Sequence, residues 1–465
     1  MISAKLCRAL GIGASLLLVV VSETGAQTQV LSDSAVTSII ANRVAAKRAT
    51  GIVVATLERG KDPHIYTAGI SGAAGVPLDG NTVFEIGSIT KVFTNTILAD
   101  MVRRGEVRLD DPVAKFLPAS VRVPQRNGKQ ITLLDLATQS SGLPRLPSNL
   151  KPADMTNPYA DYSVKQLYEF LSSYTLTRDV GSQYEYSNLG MGLLGHALSL
   201  RAGKSYESLV KSRVLDPLGM HDTGVQLSLF MKKHVAQGFD ATGTPVSLWD
   251  LPTLAGAGAL RSTANDMLKF LSANLDSARG PLGPAMAMAR TPRRPVGPNN
   301  SIGLAWNIVI LFGTSVTWHN GGTGGFRTFI GIDSQNHRGV IVLANSANSP
   351  DDIGFHLLQP QVPLELPPTA PKVRTEVTIN PATLDPLVGV YELAPNFRLV
   401  ITREGDSLFG QATGQGKVQM YAESETEFFL KVVDAQVTFV RDAAGKVDQL
   451  ILHQGGANIP GRRVQ

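Results

Sequence analysis

Between residues 359 and 371 the chain reads Gln-Pro-Gln-Val-Pro-Leu-Glu-Leu-Pro-Pro-Thr-Ala-Pro, with prolines at 360, 363, 367, 368 and 371. Proline locks φ and has no N–H to donate, so neither a helix interior nor a central strand can run through this stretch. The chain must therefore fold as separate pieces on either side of a stiff connection. The expected division is a leader over 1–26, a large domain over 30–358, a Pro-rich linker over 359–376 and a small domain over 377–465.

The leader has its own signature. Lys5 and Arg8 precede an apolar run from Leu10 to Val21, and Thr24-Gly25-Ala26 follows. A positive start, a short apolar stretch and small residues at its end are the marks of a secretory signal peptide, here with cleavage expected near Ala26. Twelve apolar residues are too few to span about 30 Å of hydrocarbon at about 1.5 Å per residue. Elsewhere no run approaches the length of a membrane span, so the expected location is periplasmic or secreted.

The two domains differ in pattern. Residues 32–49 have helical spacing, followed by two strand-like runs, Gly51–Leu57 and Ile65–Ile70. Residues 84–290 read mainly as helices, with candidates at Lys91–Arg104, Val164–Ser172, Gly190–Arg201, Tyr206–Val214 and Ala264–Asn274. Strand signals return at Ala305–Phe312, Ser315–His319, Arg327–Asp333 and Gly339–Asn345, and a helix is expected over Asp351–Leu358. An early hairpin and late strands around a helical middle predict an α+β domain whose sheet is completed by both ends of the sequence. Beyond the linker come short strands (Arg398–Arg403, Ser407–Gln411, Thr426–Val433, Gln436–Arg441, Val447–His453), the pattern of a small β-barrel or sandwich.

Composition removes several function classes. The only cysteine, Cys7, lies in the leader, which excludes a disulfide framework, a Cys-based zinc module and a thiol nucleophile in the exported chain. The eight histidines form no His-Glu-x-x-His pair, so no metal and no other cofactor is expected. Net charge is only +5, from 43 basic and 38 acidic residues, without a dense basic stripe, so nucleic acid is not an expected partner.

Three Ser-x-x-Lys tetrapeptides occur. Ser148–Lys151 lies between prolines, and Ser208–Lys211 reads as the surface of an amphipathic helix. The third, in Phe84-Glu85-Ile86-Gly87-Ser88-Ile89-Thr90-Lys91, precedes a long apolar helix, which puts Ser88 near a helix N-terminus. Residues i and i+3 share a helix face, so the Lys91 amine can reach the Ser88 hydroxyl. A serine needs a base to become a nucleophile, and a lysine serves only when neutral. Lowering its pKa from about 10.4 to near 7 takes about 4–5 kcal/mol of differential interaction. The bland alternative is a serine cap with a surface lysine one turn on.

Two further elements follow. Tyr186-Ser187-Asn188 supplies a hydroxyl able to relay a proton and an amide able to hold a carbonyl, unless they are an ordinary tyrosine and a helix cap. Trp318-His319-Asn320-Gly321-Gly322-Thr323-Gly324-Gly325-Phe326 ends a β-like run with glycines that would admit a substrate backbone, or form a simple hairpin. No Gly-x-Ser-x-Gly elbow is present.

Taken in this order, the three elements resemble those of the penicillin-recognising serine hydrolases: class C β-lactamases, D-Ala-D-Ala carboxypeptidases and D-aminopeptidases, and β-lactamase-like esterases. Asp110-Asp111-Pro112 and Leu136-Ala137-Thr138-Gln139-Ser140-Ser141-Gly142-Leu143 add to the likeness. The resemblance implies a β-lactamase/transpeptidase-like fold, an antiparallel sheet flanked by helices plus a helical subdomain. It implies Ser88 as acylated nucleophile, Lys91 as its activator and Tyr186 as general base or relay. Asn188 would orient the substrate, His319 and Gly321 would form the strand edge, and the N–H groups of Ser88 and Gly322 would hold the oxyanion. Substrates would be D-amino-acid peptides, such as peptidoglycan-derived peptides, or β-lactams; alternatives are ester hydrolysis at the same site, or a sensor that acylates without turnover. Where class C β-lactamases usually carry Lys-Thr-Gly, this chain has His319-Asn320-Gly321, replacing a fixed cation with an imidazole expected to be partly charged at neutral pH. Arg327 is a candidate for holding a carboxylate instead. The C-terminal part resembles the lipocalin-like barrels of some D-peptidases, which would shape substrate access or mediate oligomers.

Overall fold

The computed structural model describes residues 30–276, 280–365, 374–394, 397–413, 416–431, 435–442, 444–454 and 457–464. The expected leader and residues 366–373 of the linker lie outside these. The chain divides into two compact units, one ending at Glu365 and one beginning at Leu366.

In the first unit, eight antiparallel strands form one sheet. They are β1 (Gly51–Glu58), β2 (His64–Gly69), β3 (Arg294–Gly297), β4 (Asn300–Ile302), β5 (Asn307–Leu311), β6 (Thr314–Gly322), β7 (Arg327–Asp333) and β8 (Arg338–Ala344). The order is β2-β1-β8-β7-β6-β5-β4-β3, so the first hairpin joins the last strand, with Ile52 opposite Ala344. Alternation along the strands explains the layers. Ile52 and Val54 of β1, with Val340 and Val342 of β8, pack with Val36 and Ile40 of α1 (Asp33–Ala45) and with Ile353 and Leu357 of a helix over Asp351–Leu358. Val53 and Ala55, with Ile341 and Leu343, face the larger core on the opposite side. Both faces are covered, which is why these strands read as unbroken apolar runs.

The helical part is centred on α2 (Thr90–Arg103), in which every residue from Thr90 to Met101 is buried. A helix buried all round can carry polar groups only if they find partners inside. Thr94 does so, donating to Gly256 O at 2.8 Å and pairing with the Tyr206 hydroxyl at 2.7 Å. Phe93 stacks on Phe270 with ring centroids 4.1 Å apart. Helix α3 (Asn188–Ala202) is glycine-rich for a packing reason. A Cβ on Gly195 would lie 2.9 Å from Gly256 Cα, and one on Gly192 would lie 2.6 Å from a methyl of Leu254. These glycines let the 254–257 backbone lie directly on α3.

Some boundaries differ from the sequence reading. The strand expected over Ser315–His319 continues to Gly322, so the glycines begin within the ladder. The helix expected over Tyr206–Val214 is regular only to Val210 and widens into a π turn over Lys211–Leu215; Pro217 follows after Asp216 and has no N–H to return to the preceding turn.

The second unit is a closed antiparallel barrel of eight strands, from Gly389–Ala394 to Ala457–Arg463, shut by the pairing of Tyr391 with Arg463. Leu387, Tyr391, Leu408, Phe428, Val437, Phe439 and Leu450 fill its interior. The Tyr391 hydroxyl reaches polar company by donating to Leu387 O at 2.9 Å.

Gly195→Ala tests the close contact under α3. The methyl group meets backbone that cannot swing aside, so the variant should lose about 1–3 kcal/mol. Urea unfolding followed in the near-UV measures it, and an unchanged midpoint would contradict the contact.

Candidate active site

The segment Phe84–Lys91 crosses from a short strand (Val83–Glu85) through a tight turn (Gly87–Ile89) into α2. Gly87 has φ +50°, and a Cβ there would stand 2.6 Å from Gly322 N, so both backbone angle and space demand glycine. Ser88 therefore enters the first turn of α2 beside the end of β6.

Lys91 lies one turn on, with no exposure to solvent. Its Nζ is 2.8 Å from Ser88 Oγ, 2.8 Å from Asn188 Oδ1 and 2.6 Å from Ala257 O. No carboxylate is among these partners. Burial drives the amine well below its ordinary pKa, and the charge of Arg145 pushes the same way. A neutral amine has two N–H groups and one lone pair. Asn188 Oδ1 and Ala257 O accept the two N–H groups, which leaves the lone pair for the Ser88 hydroxyl.

Tyr186 donates its hydroxyl to Ser88 Oγ at 2.7 Å. Burial raises its pKa, with hydrogen bonding to Ser88 and the Arg145 charge opposing, so the phenol keeps its proton. The Lys91 amine also lies 4.9 Å from the Tyr186 ring centroid. This tyrosine and Asn188 are held by the Leu136–Leu143 block. Gln139, at φ +55°, accepts from Ser187 N–H at 2.8 Å through Oε1 and from Glu185 N–H at 2.7 Å through its carbonyl. Ser187 caps α3, its Oγ accepting from Gly190 N–H at 2.8 Å, and donates to Pro144 O at 2.6 Å.

The third element forms the opposite wall. Within the β6–β7 turn, Thr323 N–H donates to Phe326 O at 3.0 Å, so Gly322 opposite Arg327 is a non-hydrogen-bonded pair. Its N–H is turned off the β7 ladder, toward Gly87. A Cβ on Gly321 would lie 2.0 Å from Ile86 O, so β6 approaches the serine turn backbone to backbone. On its other side β6 pairs with β5 only as far as Trp318, opposite Asn307. Among the described residues no strand pairs with 319–322 on that side, and a groove edge is left there.

His319 corrects the sequence reading. Its side chain is buried and its Nδ1–H donates to Asn320 O at 2.6 Å, which leaves the lone pair on Nε2. Burial pushes the imidazole from 6.5 down to about 3. It is a neutral group at neutral pH, not a partly charged one. Arg327 is turned back on its own hairpin, donating to Thr323 O and to Phe326 O at 2.9 Å.

Sequence reasoning missed three contributors. Ala257 offers only a carbonyl, and no side-chain pattern announces it. Glu85 is buried and accepts from Trp249 N–H at 2.7 Å, tying the 249–250 loop to the serine segment. Arg145 lies over the Tyr186 ring, 5.1 Å from its centroid.

A family model described as Beta-lactamase matches residues 36–358, and one described as a domain of unknown function (DUF3471) matches 373–462. The D-alanyl-D-alanine-carboxypeptidase/endopeptidase AmpH of Escherichia coli (strain K12) is 32% identical over 244 residues, covering 48% of this chain and 62% of that protein. The chain thus spans about three fifths of that relative's length. A beta-lactamase of Pseudomonas fluorescens is 26% identical over 330 residues, covering 63% of this chain and 88% of that protein. Among solved structures, a beta-lactamase/D-alanine carboxypeptidase from Yersinia pestis superposes with TM-score 0.61 at 23% identity, covering 71% of this chain and all of that one. A class C beta-lactamase mutant gives 0.62 at 22% identity, covering 70% and 96%. These two likenesses establish a β-lactamase/transpeptidase-like fold. The chain belongs to the beta-lactamase family.

Among the described residues no helix is long and apolar enough to cross a membrane.

The buried imidazole has a consequence for stability. In the unfolded chain His319 takes a proton below about pH 6.5, while the folded protein refuses it until about pH 3. The unfolded state therefore binds more protons in that window, and stability falls as pH falls through it. His319 should account for about 2 kcal/mol of the loss between pH 6.5 and 5. Urea unfolding of the wild type and His319→Asn at both pH values measures this. Equal losses in the two proteins would contradict a neutral, buried His319.

Proposed function

We propose that the protein is an exported serine acyl-hydrolase that works through a Ser88 acyl-enzyme on D-amino-acid peptides and β-lactams. One observation carries the reading: Ser88 Oγ lies within hydrogen-bond distance of both a fully buried lysine amine without a carboxylate partner and a tyrosine hydroxyl. In this mechanism Ser88 Oγ attacks the acyl carbon and its proton passes to Lys91 Nζ. The carbonyl oxygen becomes an oxyanion between the N–H groups of Ser88 and Gly322, each such donor contributing about 100–1000-fold in rate. Tyr186, still protonated, hands its proton to the departing nitrogen and recovers one from Lys91 through the Ser88 side. Asn188 holds the Lys91 amine and meets the substrate amide, and His319 and Gly321 offer the free edge of β6 to the acyl chain. Water then attacks the ester at Ser88 and regenerates the serine. Residues 1–26 are read as the export leader of this enzyme.

The neutral His319 supports a second reading at the same site. With no cation fixed on the strand edge, an uncharged carboxylic ester is also a fitting acyl donor.

The test is incubation with a fluorescent penicillin and with p-nitrophenyl butyrate, following protein mass over time. An adduct on Ser88, lost in Ser88→Ala, is expected. In Lys91→Arg the chain should fold but acylation should drop by at least about 1000-fold, because arginine does not give up its proton in this range. Near-wild-type acylation of Lys91→Arg would remove Lys91 as the base. Gly87→Ala should reduce acylation about 100-fold or more by moving Gly322 N–H away.

A further inference from the structure

We infer that Arg145 is the group that recognises the substrate, binding a carboxylate carried next to the leaving nitrogen of the acyl donor. The inference rests on the Ser88 acyl-enzyme reading and names the substrate class that this site prefers.

Other basic side chains of the neighbouring segments are already engaged. Lys91 is buried and its amine is committed to Ser88, Asn188 and Ala257. Arg327 holds the carbonyls of its own turn. Arg261 is buried between Glu85 and Asp250, and Arg178 is paired with Glu185. His319 is neutral. Arg145 differs: it is exposed, and among the described residues it makes no ion pair.

Its position is fixed from the backbone. Leu189 N–H donates to Arg145 O at 3.2 Å, and Ser187 Oγ donates to Pro144 O. These two bonds clip the 144–145 segment to the residues on either side of Asn188, and the guanidinium then comes over the Tyr186 ring. Among the described residues its guanidinium N–H groups donate to no other group, so the fork is free to grip a carboxylate with two bonds. Its charge is felt throughout the site, lowering the proton affinity of Lys91, Tyr159, Tyr184 and Tyr186 alike.

The side of the site matters. Tyr186 is the residue that serves the departing nitrogen, so a cation on its ring faces the leaving group rather than the acyl chain. In a peptide ending in a free D-amino acid, and in a penicillin, the carboxylate sits on the carbon attached to that nitrogen. A simple ester has no such anion. Arg145 thus favours carboxylate-bearing amides and lactams over neutral esters, in place of a cation on the β6 edge.

The experiment compares acylation of Ser88 by benzylpenicillin and by its methyl ester, read as the rate of adduct formation by mass, in the full-length wild type, Arg145→Gln and Arg145→Lys. The ratio of the two rates is the readout, because a change in Lys91 basicity or in folding moves both rates together. The wild type should prefer the free acid. That preference should fall about 10- to 100-fold in Arg145→Gln, the size of a lost charged hydrogen-bonded pair, and largely survive in Arg145→Lys. A wild type with no preference, or an Arg145→Gln variant that keeps it, would overturn the role of Arg145 while leaving the Ser88 reading intact. Absence of any Ser88 adduct from either compound would overturn both.

Discussion

A lysine amine shut away from water without a carboxylate is the constraint around which the first unit is organised. An ammonium in that position lacks solvation and counter-charge, so burial drives the amine's pKa well below its ordinary value. The rest follows from giving the neutral amine partners in the right number. Ala257 O arrives because Gly192 and Gly195 of α3 let the 254–257 backbone close on the helix. Asn188 Oδ1 arrives because Ser187 caps α3 and is clamped by Gln139 and Pro144. The remaining direction points at Ser88.

The two walls of the site are held by different forces. On one side, side chains buried in the helical core position Lys91, Asn188 and Tyr186. On the other, β6 is placed by main-chain pairing with β7, and its tip meets the serine turn through Gly87 and Gly321, where no side chain fits. A site assembled this way depends on glycines as strictly as on its polar groups. Burial also biases proton positions: it lowers the proton affinity of Lys91 and His319 and raises that of Tyr186, which favours an acceptor on one side of the serine and a donor on the other.

Much of this was legible in the residues. The Ser-x-x-Lys spacing, the lone Tyr-x-Asn and the late glycine run mark the parts, and the alternating strand pattern anticipates a sheet closed by both ends of the chain. What stayed hidden depends on tertiary burial or on backbone. The neutrality of His319 arises from complete enclosure, which no local pattern encodes. Ala257 contributes an atom that every residue possesses. Arg145 looks like any surface arginine until the clip at Leu189 sets it over Tyr186. The π turn at Lys211–Leu215 and the continuation of β6 to Gly322 show the same limit: local propensity was overridden by a following proline in one case and by ladder pairing in the other.

The central claim, that Lys91 is a neutral amine at neutral pH, can be measured without any substrate. In full-length protein carrying 15N-labelled lysine, the Nζ resonance of Lys91, assigned by its loss in Lys91→Arg, reports protonation as pH is varied. The account predicts an amine signal at neutral pH that becomes an ammonium only on acidification. An ammonium signal persisting to about pH 10, as for an ordinary lysine, would contradict it.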